Sequence, residues 1–67
     1  MFKKLTILMQ TYHQEKLTSI SLRSFEKYKP DNLELHYVVV EGSDDTSYKD
    51  KIKNISKNIK WFNNAAA

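Results

Sequence analysis

The chain has no cysteine, one glycine and one proline. Arg23 is its only arginine. Without thiols, a disulfide framework and a thiolate zinc site are excluded. One glycine is too few for a Walker-type phosphate loop. One arginine leaves little of the side chain that most often reads bases or forks onto phosphates. No apolar run approaches the roughly 18 residues of a membrane-spanning helix, and no signal-peptide core follows Met1. The expectation is a small cytoplasmic domain with no membrane partner.

What is present suits one modest core. The 67 residues are 40% hydrophobic and 28% charged, the balance of a folded domain rather than a disordered tail. A chain this short hides only about 60% of its unfolded surface, so it folds marginally or leans on a partner. The formal net charge is +3, with lysines concentrated at Lys49, Lys51, Lys53, Lys57 and Lys60. That spacing reads as the solvated side of a helix, and nucleic acid is not an expected partner.

Pattern gives the elements. Leu5 to Gln10 is a short apolar run between polar residues, a strand. Lys16 to Tyr28 reads as a helix whose sheet-facing stripe is Leu17, Ile20, Ser21, Ser24, Phe25 and Tyr28. Pro30-Asp31-Asn32 is turn chemistry. Leu33 to Val40 is the clearest strand, and its continuous apolarity predicts cover on both faces. Gly42 follows in an acidic loop, the position where open α/β proteins bind ligands. Thr46 to Asn58 reads as a second helix through Tyr48, Ile52, Ile55 and Ile59. Ser43, Asp44 or Asp45 is its expected cap, and Ser47 with Asp50 an imperfect capping box. Lys60-Trp61-Phe62 opens a third strand. The fold class is therefore α/β, a single β-α-β-α-β half-Rossmann domain over residues 1–64. Its sheet is three-stranded and parallel, in order 3-2-1. Residues 65–67 form a tail, either native or a scar of cloning.

The run Ile7 to His13, the helix containing Ser24, and the run Leu35 to Thr46 together resemble the N-terminal segment of family 2 glycosyltransferases. These have the GT-A fold, with a Rossmann-like sheet that binds a nucleotide-diphospho-sugar. Trp61-Phe62-Asn63-Asn64 stands where that family's third strand leads into an asparagine-containing loop. The resemblance implies that Tyr12 stacks on the base and Glu41 accepts a hydrogen bond from base or ribose. It also implies that Gln10 and Thr11 line the base and that Gly42 lets the loop turn beside the nucleoside. The chain departs from the family's pattern. Gln10 stands for the usual proline, His13 for the usual asparagine, and Val40 for the first of two aspartates. The family commonly uses manganese or magnesium with a nucleotide sugar. Its metal-binding Asp-x-Asp and its acceptor region have no counterpart in these 67 residues, so no cofactor, metal ligand or catalytic residue is assigned.

Outside the resemblance the residues read plainly. His13 is an exposed loop residue, His36 an edge or interface residue, and Asp44-Asp45 favours a helix start through the helix dipole. Two functions follow. The first is the donor-nucleoside half of a GT-A-type transferase, inactive alone and weak for nucleotide or nucleotide sugar. The alternative is a small non-enzymatic interaction or regulatory protein of phage type that keeps the half-fold and binds a protein partner. An apolar first strand with no fourth strand beside it also implies a homo-oligomer through Leu5 to Gln10.

Overall fold

A computed structural model describes residues 3–64; the tail at 65–67 lies outside the described residues. The elements are β1 (Lys3–Thr11), α1 (Glu15–Tyr28), β2 (Leu33–Glu41), α2 (Lys49–Lys53) and β3 (Ile59–Asn63). The three strands form one parallel sheet with β2 in the centre, a Rossmann-like β-α-β-α-β arrangement. This is the fold class and strand order that the sequence implies. No helix among the described residues is long and apolar enough to cross a membrane.

Register divides the sheet into two unlike faces. Leu5, Ile7, Met9 and Thr11 of β1 stand opposite Leu35, Tyr37, Val39 and Glu41 of β2. Tyr37 and Val39 in turn meet Ile59 and Trp61 of β3. This face holds the core with Leu22, Tyr48 and Ile52. The opposite face carries Leu8, Val38, Val40 and Phe62, with Leu8 and Phe62 exposed. The expectation of cover on both faces is therefore corrected. Both crossovers step in the same direction across the sheet, and right-handed connections then place both helices on one side.

The face that α1 presents is a second correction. The apolar stripe of Leu17, Ile20, Phe25 and Tyr28 is exposed, while Thr18 and Leu22 are buried. The reason lies in the polar anchors. Thr18 Oγ1 donates to Thr11 Oγ1 at 2.9 Å, and Tyr37 Oη donates to Glu26 Oε2 at 2.7 Å. Thr18, Leu22 and Glu26 are spaced four apart, so they share one face. Two hydrogen bonds around one buried leucine fix the rotation of the helix, and the apolar stripe is turned about one residue aside. Pro30 ends α1 by holding Lys29 extended, at φ −65° and ψ 144°.

The second helix is far shorter than Thr46 to Asn58. It covers five residues, and no side chain caps it. Neither the expected acidic cap nor the capping box forms. Asp45 instead accepts the Ser47 N–H at 2.8 Å, and Ser43 Oγ accepts the Asp45 N–H at 3.1 Å, so the acidic loop closes on itself as two side-chain turns. At the far end Asn54, Ser56 and Asn58 favour local bonding over helix. Ser56 Oγ accepts the Asn58 N–H, and Asn58 Nδ2 donates to the Leu35 carbonyl across the sheet.

Candidate functional site

The C-terminal ends of β1 and β2 carry two loops, Tyr12–Gln14 and Gly42–Tyr48. Glu41, the last residue of β2, lies beneath them. It points to the helix-covered face and is fully buried. Such a carboxylate must be satisfied internally. Tyr48 Oη and the His13 backbone N–H both donate to Oε1, the second at 2.9 Å, and Ser43 Oγ donates to Oε2. Tyr48 has a single proton and gives it to Glu41. Thr11 must then donate to Tyr48 across 3.2 Å, and Thr18 donates to Thr11. The hydroxyls of Thr18, Thr11 and Tyr48 thus run in one direction toward the carboxylate, each bond polarising the next. Burial pushes the Glu41 carboxyl up, but the bonds from Ser43, Tyr48 and His13 outweigh it and leave it below its ordinary value. The Tyr48 phenol is pushed up by burial and by the same bond to Glu41.

His13 is the one residue among the described ones, glycine aside, with a positive φ, 52°. Histidine tolerates the left-handed region better than most. The turn is what directs its N–H onto Glu41. Its Nδ1 lies 2.8 Å from Asp45 Oδ2, and its ring stands edge-on to Tyr12 at 4.4 Å. Bonds from Ser47 and His13 hold the Asp45 carboxyl down at about 2. Asn63 closes the loop from the third strand. Its Nδ2 donates to the Ser43 and Asp45 carbonyls, and its Oδ1 accepts the Trp61 Nε1–H.

Above this network opens a cleft of about 430 Å³ lined by Gln10, Thr11, Tyr12, Gln14, Val40, Gly42 and Asn64. Four of the five sequence-derived site residues meet there. Glu41 does not line it, and its oxygens face internal donors. Thr11 offers the cleft little from its side chain, because its hydroxyl is spent between Thr18 and Tyr48. Tyr12 is 61% exposed. Gly42 has no positive φ. A Cβ there would stand 3.2 Å from Tyr12 Cδ2, so any larger residue would push the exposed ring aside by a few tenths of an ångström.

The polarity of the cleft is neutral. Gln10, Gln14 and Asn64 bring amides, and no lysine or arginine lines it. Such a surface suits a flat, uncharged polar ring better than a phosphate. A slightly larger cleft of about 480 Å³ lies at the opposite end of the sheet, among Lys4, Glu26, Lys29, Asp31 and Glu34. Open parallel sheets bind ligands outside the carboxyl ends of their strands, which favours the Tyr12 cleft. Among the described residues no three histidine, aspartate or glutamate side chains converge as a metal site would require.

Sequence reasoning missed Thr18, Ser43, Tyr48 and Asn63 as parts of this site. Tyr48 read as a helix-face residue, whereas it precedes α2 and packs edge-on against Trp61 at 5.1 Å. The available signal was Glu41 itself, because a carboxylate ending a buried strand demands donors. The geometry defines a Rossmann-like α/β domain with a neutral cleft at the carboxyl end of its sheet. No family model, curated protein or solved structure matches this chain.

Proposed function

We propose that the chain is the nucleoside-binding half of a nucleotide-sugar-dependent transferase of GT-A type. The observation that carries this reading is the convergence of Gln10, Thr11, Tyr12 and Gly42 on one cleft at the carboxyl ends of β1 and β2. An exposed aromatic face beside neutral amides can stack a base and hydrogen-bond its edge. Glu41 then acts from below. It holds the His13 turn and the Ser43 loop, and so sets the width of the cleft, rather than touching the ligand.

Affinity is weak, because the cleft has one aromatic, no cation and an open mouth. A dissociation constant above about 100 μM, roughly −5.5 kcal/mol, is expected. The test is a titration of the whole chain with uridine, UMP and UDP, following the amides of Tyr12, His13 and Gly42. All three ligands should shift these amides with similar affinity, since no phosphate clamp distinguishes them, and manganese should make no difference. Tyr12→Ala should abolish the shifts. Silence of these amides up to about 5 mM ligand, weaker than about −3.1 kcal/mol, would overturn the reading.

A further inference from the structure

The outer edge of β1 and the exposed stripe of α1 form one apolar surface. Among the described residues β1 pairs only with β2, so one side of its nine-residue backbone is open. From that edge a groove of about 400 Å³ runs between α1 and the sheet, lined by Leu5 and Ile7 of β1, Leu33 and Leu35 of β2, and Ser24, Phe25 and Tyr28 of α1, with Lys29 at its rim. Helical spacing continues the same stripe to Ile20 and Leu17, both exposed.

We infer that a second copy of this chain covers this surface, the two β1 strands pairing antiparallel about a two-fold axis into a six-stranded sheet. The inference is independent of the nucleoside reading. Three observations select this occupant.

The first is self-complementarity. A two-fold axis through Ile7 sets Ile7 against Ile7, Leu5 against Met9 and Thr6 against Leu8, with no charged residue facing its like. An interface of this kind must match itself, and this one does. The same axis brings the two α1 helices side by side on one face, where Ser24 and Ser21 allow close approach.

Charge is the second. Lys3 and Lys4 stand at one end of β1, and Gln10 and Thr11 at the other. Antiparallel pairing keeps the four lysines of the dimer at opposite ends, on the order of 25 Å apart at the strand rise. Parallel pairing of the same edges would put them together.

Area is the third. Leu5, Leu17, Ile20, Phe25 and Tyr28 are each 42–75% exposed. At roughly 200 Å² for a fully exposed side chain of this size, they present on the order of 500 Å² of apolar surface. The open backbone edge adds the rest of the about 800 Å² per partner that a stable interface commonly buries.

Sedimentation of the intact chain at about 100 μM tests the proposal, well above the micromolar dissociation constant typical of a small interface. The wild type should have twice the monomer mass, and the β1 amides should exchange more slowly as concentration rises. Leu17→Glu and Tyr28→Glu change exposed positions only, so each should halve the mass while leaving the circular dichroism unchanged. A wild type that stays monomeric overturns the inference. So does a dimer that survives both variants and dissociates with Phe62→Glu, which would place the interface on the open face of the sheet.

Discussion

At the scale of single residues, the site separates into groups that meet a ligand and groups that hold the meeting place. Gly42 and Tyr48 represent the two. In Gly42→Ala the new methyl meets an exposed ring that can yield, and no backbone strain arises because φ is not positive. Stability should change by less than about 1 kcal/mol, as measured by urea denaturation. The Tyr12 ring, however, must move, so the uridine-induced amide shifts should be lost or weakened several-fold. Tyr48→Phe is the converse. It removes the hydroxyl that links Thr11 to Glu41 and leaves a buried carboxylate one donor short. A loss of about 1–3 kcal/mol is expected, with the Tyr12 ring environment retained. If Gly42→Ala proves as destabilising as Tyr48→Phe, the packing of Tyr12 over Gly42 has been misassigned.

At the scale of elements, hydrophobic pattern located every element but placed their faces less well. Strand periodicity, Pro30 and the Val38–Val40 run are strong local signals, and the strands emerge at nearly the expected positions. The rotation of α1 was not legible, because it is set by Thr18 and Glu26, whose partners Thr11 and Tyr37 lie in other elements. A polar residue reveals its partner only after the chain has folded. The same blindness stretched α2. Ile55 and Ile59 fit a helical period with Ile52, yet Ser56 and Asn58 turn the chain back to the sheet and Ile59 enters β3. At the cleft, only Gly42 was marked by pattern, as a glycine directly after a buried strand; Gln10 to Tyr12 were named through the family resemblance, and Tyr48 and Asn63 come from distant segments. The α1 assignment has a direct check. Leu22→Ala empties a fully buried position and should cost about 2–5 kcal/mol. Leu17→Ala, measured at a dilution where the chain is monomeric, should cost no more than about 0.5 kcal/mol. The opposite order in thermal or urea melts would restore the apolar stripe as the sheet-facing side.

At the scale of the whole molecule, one hydrogen bond couples the acid and the alkaline limits of stability. Glu41 titrates below its ordinary value of 4.5 when folded, and Asp45 falls from 3.8 to about 2. As pH drops below about 4.5, the unfolded chain takes up protons at these carboxylates before the folded chain does, so protons favour unfolding. Their contribution is fully present above that range, and it fades through the folded values as acid is added. The tyrosines act in the other direction. Tyr37 is raised by burial and by its bond to Glu26, and Tyr48 by burial and by its bond to Glu41, both above the ordinary value of 10.0. Above about pH 10 the unfolded phenols ionise first, and stability falls as pH rises. The urea midpoint should therefore be flat from about pH 5 to 9 and decline on both sides. Tyr48→Phe tests the coupling, because it deletes one raised phenol and also removes a donor that lowers Glu41. The midpoint of the variant should be lower on the plateau, yet its decline should be shallower at both extremes. An acid limb as steep as in the wild type would show that Ser43 and the His13 N–H hold the Glu41 carboxylate without Tyr48, and that the hydroxyl chain ends at the phenol.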